Sequence, residues 1–545
     1  MIKFYFFLIT SLFIIQPNVF FGQSREFEIL KNLELIDQVH EHLELYFVDE
    51  PQTGKISKVA IDAMLKELDP YTVFYHESNM EDYRLMTTGE YGGIGALIRS
   101  IKGATYIVEP YEGKPAQKSG LKAGDKIISI EGVKMNAKTS EEVSAALKGP
   151  KGSSIKIEVE RESIIKTFTV EREQIKIPDV PYSGMIDDEI AYVKLSSFSQ
   201  TAFQSVQSEY QKLQGEGMKY AILDLRNNGG GLLFEAVKIV NLFVPKGELV
   251  VFTKGRVEKE NREFTTREAP LFPEIPLVIL INENSASASE IVAGSLQDMD
   301  RAVIIGQQSF GKGLVQRTYD LKYGSKLKVT ISKYYTPSGR CVQRLEYYDR
   351  NIDNAPKEIS DSLIRTFKTK NGRDVIDGRG IVPDVELIRN TFSELTNEII
   401  INDLIFEFVN QYVSGVDSIS GPKDFELGED GYNGFISFVE TRPYFEYSTS
   451  IEKKLIEIKE ILKKDSVYSD VQEAFSNLEK MVKTDLLNDL ERYKTEIAPL
   501  IENEIVARFY FQKGKKVHSF SFSDVIKDSR RILKTPSEYA KILNQ

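Results

Sequence analysis

Between about residues 175 and 390, short apolar runs alternate with helical stretches, and this alternation constrains the fold more than any other feature of the chain. The strand candidates include Ala191 to Leu195, Tyr220 to Leu225, Leu277 to Ile281 and Ala302 to Ile305. Strands separated by helix-length segments are the mark of an α/β core. The flanking regions read differently. Residues 24 to about 83 are periodic at helical spacing, with Leu33, Leu35, Ile36, Val39, Leu43 and Leu45 on one face and Ala60, Ile61, Met64, Leu65 and Leu68 on another. Pro70 is placed to end the second helix. Residues 84 to 174 change to short strands and glycine turns, with one helix over Ser140 to Leu147. Residues 391 to 545 are charged, periodic and mostly helical, most clearly at Leu455 to Leu462 and Ala474 to Leu487. At 545 residues the chain exceeds one core. The expected division is 1–22, 23–83, 84–174, 175–390 and 391–545.

The first 22 residues read as an export signal. Lys3 precedes an almost wholly apolar run from Phe4 to Ile15, followed by Gln16, Pro17, Asn18 and Gly22. That run is shorter than the roughly 20 residues a spanning helix needs. The expectation is therefore an exported, periplasmic or envelope protein that is soluble after cleavage, with an N-terminal membrane anchor as the alternative. A formal net charge of −11 and the lack of any basic run argue against nucleic acid. Cys341 is the only cysteine, which excludes an internal disulfide and a thiolate cluster. The histidines are His40, His42, His76 and His518, with no HExxH pattern, so no zinc site is expected.

Three segments carry chemistry. In the first, the strand from Pro276 to Ile281 runs through Asn282-Glu283-Asn284-Ser285-Ala286-Ser287-Ala288-Ser289-Glu290 into a helix ending near Asp298. A serine at such a turn presents its hydroxyl at the end of a sheet, and the next N–H, on Ala288, points where an oxyanion would form. The same letters, Ser287-x-x-Glu290, also fit a capping box in which the serine only caps a helix.

The second segment, Gly306-Gln307-Gln308-Ser309-Phe310-Gly311-Lys312-Gly313-Leu314, superficially resembles a phosphate-binding P-loop. That motif needs Ser or Thr after the lysine and then a helix, whereas Gly313 and a strand-like run follow here. Lys312 between two glycines is instead a lysine pressed against other backbone. Burial promotes the neutral amine that a general base requires. With no histidine between residues 77 and 517, lysine is the natural partner for an activated Ser287. In the third segment, Leu223-Asp224-Leu225-Arg226-Asn227-Asn228-Gly229-Gly230-Gly231 ends a strand in glycines, which serve either as a tight turn or as N–H donors to a ligand.

Together these segments resemble the C-terminal processing peptidases, or tail-specific proteases, over roughly residues 34 to 390. SASASE and FGKGLVQ are 25 positions apart from serine to lysine, as in that family. The resemblance implies Ser287 as nucleophile, Lys312 as base, Gln316 orienting the lysine, and an oxyanion hole from Ala288 with Gly230 or Gly231. It also implies that Gly93-Ile94-Gly95-Ala96 is the carboxylate-binding loop of a PDZ-like domain. Val48-Asp49, Leu68-Asp69-Pro70, Tyr335 to Arg340 and Gly380 to Asp384 are similar to other parts of the family pattern. The expected architecture is an α/β, crotonase- or Clp-protease-like catalytic core with an inserted PDZ-like domain, an N-terminal helical segment and a C-terminal, mostly helical domain. The expected activity is hydrolysis of protein or peptide substrates with free C-termini through an acyl-enzyme, without metal or cofactor. A homo-oligomer or an adaptor protein is a further possible partner. The alternatives are a non-catalytic ligand- or peptide-binding protein on the same fold and a PDZ scaffold, neither of which needs the Ser287/Lys312 pair.

Overall fold

The computed structural model describes residues 24–77, 80–350, 355–387, 392–443, 445 and 447–545, so the expected signal lies outside the described residues. The chain divides into two units, Met1–Phe74 and Tyr75–Gln545. In the first, helices Arg25–Tyr46 and Thr53–Lys66 follow the periodicity of the sequence. The second helix stops ahead of Pro70. The expected apolar face of the first helix is not a buried face: the helix has no buried residue, and Leu33, Leu35, Ile36, Val39 and Leu45 are exposed.

In the second unit the α/β region is built on a six-stranded sheet in the order Tyr182–Met185, Ile190–Lys194, Tyr220–Asp224, Leu277–Ile281, Val303–Gly306, Val385–Glu386. The first pair is antiparallel and the remaining pairs are parallel. The central strands are almost wholly apolar because both faces are covered. Ala191, Val193, Leu223, Ile279 and Ile304 face one core with helices Ala202–Gly215, Leu233–Val240 and Ala288–Asp298. Ile190, Tyr192, Ile222, Val278, Leu280, Val303 and Ile305 face a second core. That second core is closed by Val525, Ile526, Ile532, Leu533 and Leu543, from the last two helices of the chain, Asp524–Leu533 and Pro536–Ile542, and the residues just after. A second, antiparallel sheet contains Leu249–Gly255, Glu263–Thr265, Leu314–Asp320 and Lys326–Tyr335.

The PDZ-like region leaves and rejoins this core through paired strands Glu90–Gly93 and Glu173–Lys176. Its sheet runs Ala96–Ile101, Ala104–Pro110, Lys126–Ile130, Ser154–Arg161, Ile164–Glu171, over a core of Ile94, Ile107, Leu121, Ile127, Val143 and Ile157. Helix Ser140–Leu147 starts at a capping box made by Thr139 and Glu142. The C-terminal region is helical, as expected. The apolar run Ala474 to Leu487, however, is two helices, Tyr468–Val482 and Leu486–Arg492. The break follows from Asp485, whose side chain caps the second helix at Asn488 N–H, and from Glu452, which draws off the Thr484 N–H at 2.7 Å.

The last two helices and Leu543 thus belong to the six-stranded sheet as much as to the helical region. At about 2 kcal/mol per buried apolar side chain, the five residues they contribute rival the about 5–15 kcal/mol that stabilises a whole domain. Deleting residues 521–545 is therefore expected to leave the core open to limited proteolysis and without a cooperative melt. A truncated chain melting as the full chain does would contradict this packing account.

Candidate active site

Strand Leu277–Ile281 ends at Asn282, and the chain turns through Ser285 and Ser287 into helix Ala288–Asp298. Ser285 is buried, and its Oγ donates to Leu225 O at 2.9 Å. Ser289 is also buried, and its Oγ donates to Asn228 O at 2.9 Å. Both serines therefore lace the turn to the glycine-rich loop and are spent on structure. Ser287 differs from them: it is only half-buried, at φ 57° and ψ −112°. Ordinary N-caps adopt β-region angles. A non-glycine residue at positive φ is a strained conformation, as found in a nucleophile turn. The Glu290 half of the capping box is made, with the Ser287 N–H donating to Oε2 at 2.8 Å.

Glu290 is the hub of the site, a role its letter did not disclose. It is fully buried and accepts four hydrogen bonds. Ser309 Oγ at 2.5 Å and Gly311 N–H at 2.7 Å donate to Oε1, while Ser287 N–H and Lys312 N–H, each at 2.8 Å, donate to Oε2. One carboxylate oxygen thus joins the backbones of Ser287 and Lys312. Burial pushes the Glu290 carboxyl above its ordinary range, against the pull of those four donors. Phe310 N–H donates to Ser285 O at 3.0 Å and ties the same two loops again.

The glycines around Lys312 have the expected cause. A Cβ on Gly311 would lie 2.6 Å from Arg344 Cβ, and one on Gly313 would lie 2.7 Å from Gln343 N. Lys312 is itself half-buried. Gln316, on strand Leu314–Asp320, donates from Nε2 to Thr330 Oγ1 at 3.1 Å across the hairpin.

The third loop closes against the serine turn. A Cβ on Gly230 (φ 98°) would meet Ala286 O at 2.7 Å, Ser287 Cβ at 2.8 Å and Ala288 N at 2.9 Å. Gly231 presses on Phe198 O in the same way, at 2.4 Å. Gly230 N–H donates to Asn228 Oδ1 at 2.9 Å. Asp224, at the root of this loop, is buried and accepts from Arg226 N–H at 2.9 Å and Arg226 Nη2 at 2.6 Å, with Lys194 Nζ at 3.2 Å. Burial would raise its carboxyl, but the Arg226 and Lys194 charges outweigh that and hold it well below the usual carboxylate range.

Gly93 to Ala96 form a separate site on the PDZ-like domain. The carbonyls of Ile94 and Gly95 point inward, accepting from Ala116 N–H at 2.8 Å and Tyr111 N–H at 2.9 Å. At Gly95 (φ 70°) a Cβ would lie 2.7 Å from Lys114 Cβ. The following strand, Ala96–Ile101, is at the end of its sheet. Its outer edge and this loop have the form that PDZ domains use to add a peptide strand.

Comparison with known proteins agrees with this geometry. Residues 189–347 match Peptidase family S41, residues 106–161 match a PDZ domain, and residues 395–533 match the family described as "Probable PDZ-protease, C-terminal helical domain". A carboxy-terminal-processing protease of Bartonella bacilliformis is 35% identical over 353 residues, which cover 63% of this chain and 81% of that protein. The chain belongs to peptidase family S41. Another member, a "Probable CtpA-like serine protease" of Staphylococcus aureus, is 32% identical over 339 residues, covering 62% of this chain and 68% of its own. Among solved structures, the photosystem II D1 C-terminal processing protease aligns with 66% of this chain and 94% of its own, at 25% identity and a TM-score of 0.36. The S41 chain is a serine-type peptidase with a PDZ domain, and the expected architecture is the one it has.

Glu290→Gln replaces one acceptor oxygen by an amide donor that faces two hydrogen-bond donors in either orientation. Each buried donor left unpaired costs about 1–3 kcal/mol. The variant is expected to melt at a lower temperature and to lose peptide hydrolysis by at least about tenfold, through displacement of the two loops. An unchanged melting temperature would refute the hub assignment.

Proposed function

We propose that this S41 peptidase cleaves exported proteins selected by their C-termini, with Ser287 as nucleophile and Lys312 as general base. The observation that carries this reading is the single Glu290 oxygen that accepts from both the Ser287 and Lys312 N–H groups at 2.8 Å, together with the positive φ of Ser287. In the proposed reaction, neutral Lys312 Nζ takes the Ser287 hydroxyl proton as Oγ attacks the scissile carbonyl carbon. The N–H of Ala288 and one loop glycine stabilise the tetrahedral oxyanion. Because the Gly230 N–H already donates to Asn228 Oδ1, Gly231 is the favoured second donor. The C–N bond then breaks as Lys312 gives the proton to the leaving amine. Lys312 next deprotonates a water that hydrolyses the Ser287 ester, releasing the acyl product. Gln316, four residues after Lys312 and anchored on Thr330 of the neighbouring strand, limits the positions open to Lys312.

The PDZ domain binds peptide. The finer proposal is that Gly93-Ile94-Gly95-Ala96 receives the substrate's C-terminal carboxylate in a nest of N–H groups, while the chain upstream adds to the edge of Ala96–Ile101. Export rests on the signal-like composition of residues 1–22. Among the described residues no helix is long and apolar enough to cross a membrane.

Ser287→Ala and Lys312→Ala are each expected to abolish hydrolysis, and the double variant to be hardly worse than either, because the pair acts as a unit. Lys312→Arg is expected to be inactive, since guanidinium stays protonated. In the active enzyme, kcat rises with pH as Lys312 loses its proton, and a variant lacking Lys312 lacks that limb. Ser285→Ala removes a structural bond worth about 1 kcal/mol and is expected to remain active. Substantial cleavage by Ser287→Ala or Lys312→Arg would overturn the mechanism.

A peptide with a free C-terminus is expected to be cut faster than its C-terminal amide. Replacing Gly95 by valine is expected to erase that preference, because its Cβ has no room against Lys114. Equal cleavage of acid and amide by the wild type would remove the proposed role of the PDZ loop.

A further inference from the structure

Asp224 lies on the face of the central sheet that the C-terminal helices cover, and one of those helices reaches it. Helix Lys494–Ser519 carries Lys516, whose Nζ is 3.6 Å from Asp224 Oδ2 and 5.0 Å from the centre of the Tyr192 ring. The Tyr192 hydroxyl donates to that same Asp224 oxygen. Asp224 ends strand Tyr220–Asp224, and its Oδ1 accepts from the N–H of Arg226, two residues on, so the position of this carboxyl sets the turn from which the glycine loop departs.

Lys516 is not needed to neutralise Asp224. Arg226 already grips it with Nε at 3.0 Å and Nη2 at 2.6 Å, and Lys194 adds a second cation. As a third cation in a buried cluster, Lys516 is held less firmly: burial, with Arg226 and Lys194 opposing its charge, brings the Lys516 ammonium down to about 8 despite Asp224. What Lys516 adds is a charged tether, its ammonium joining Asp224 and the face of Tyr192 to a different part of the chain. One helical turn earlier, Gln512 Nε2 donates to Glu109 of the PDZ domain. Glu109 lies opposite Leu97, on the peptide-accepting strand, and two residues before Tyr111, whose N–H holds Gly95 O in the carboxylate loop. Just ahead of both contacts Phe511 sits at φ 55°, a local break that leaves Gln512 and Lys516 together on the C-terminal arm of the helix. The neighbouring helix Leu404–Ser414 strengthens the same docking. Asp403, its N-cap, pairs with Arg99 at 2.8 Å, and Glu407 pairs with Lys102 at 2.8 Å.

We infer that helix Lys494–Ser519 is a positioning strut of the catalytic site, in which Lys516 holds the root of the oxyanion loop through Tyr192 and Asp224, and Gln512 ties that root to the PDZ strand behind the carboxylate loop. The inference rests on the oxyanion role proposed above for the glycine loop. Lys516 touches no reacting atom and acts only through Asp224 and Tyr192. Binding at the PDZ edge strand thereby has a route to the oxyanion donors that does not pass through the substrate itself.

The test compares kcat and KM of the full-length wild type, Lys516→Met, Lys516→Arg and Gln512→Ala on a peptide acid and its amide, with Ser287→Ala as control. Lys516→Met keeps the length and the packing on Tyr192 but loses the charge. It is expected to lower kcat about tenfold on both peptides with KM unchanged, the effect of a small misplacement of the oxyanion donors. A peptide aldehyde, whose hemiacetal uses the same donors, is expected to bind correspondingly more weakly. Lys516→Arg is expected to recover most of the loss. Because the lysine loses its proton above about pH 8 and arginine does not, the wild-type to Lys516→Arg ratio of kcat is expected to fall above that pH. This ratio cancels the Lys312 limb and carries the test if Lys516→Met does not fold. Gln512→Ala is expected to shrink the acid-to-amide ratio of kcat by about fivefold.

A Lys516→Met kcat within about twofold of wild type overturns the strut, as does a flat pH ratio or an unchanged acid-to-amide ratio in Gln512→Ala. Hydrolysis that survives in Ser287→Ala instead overturns the catalytic assignment beneath it. The two failures are therefore distinguishable.

Discussion

The site depends on a carboxylate that never meets solvent. Removing an ionised carboxylate from water is costly unless its oxygens are hydrogen-bonded. The Glu290 side chain recovers that cost from four donors on two loop segments. Each donor is fixed by the same set of bonds, so the serine turn and the lysine loop cannot drift apart without stranding a buried charge. Ser285, Ser289 and Ser309 extend the arrangement, binding the serine turn to the glycine loop and the lysine loop to Ile381. The strained backbone at Ser287 persists because its surroundings over-determine it.

The second organising fact is that the central sheet has two faces with different owners. The peptidase helices pack on one, and the end of the C-terminal region packs on the other. The polar counterpart of this division lies at the carboxyl ends of the strands, where Asp224 faces away from helix Ala288–Asp298 yet braces the loop leading toward it. The helical region is therefore structurally continuous with the peptidase core, and the same region grips the PDZ domain through Asp403, Glu407 and Gln512.

Much of this was legible in the letters. The apolar runs gave the core strands to within a residue, because strands buried on both faces leave no polar gaps. The glycines beside Lys312 signalled close backbone approach, and Arg344 and Gln343 are what approaches. The choice between nucleophile and helix cap at Ser287 could not be made from Ser-x-x-Glu, since Glu290 serves either reading, and the backbone angle that supports the proposed nucleophile is not written in the letters. The two glycines of the oxyanion loop differ through the Asn228 side chain, a relation of conformation and not of spacing. The cations around Asp224 come from positions 194, 226 and 516, so no local pattern could reveal them. In the first helix, periodicity gave the helix correctly and burial incorrectly, because spacing reports which residues share a face and not whether anything covers it.

The return of the last helices to the central sheet has a consequence for how the enzyme is made. Strands translated early must wait, with one apolar face bare, for residues translated almost last. Such long-range closure is slow and leaves sticky intermediates. It also means that a nascent chain holding its serine, its lysine and its PDZ domain still lacks the cover that settles Tyr192 and Asp224. Order of synthesis thus separates the two: the serine and lysine loops are made well before the residues that cover the second face of their sheet.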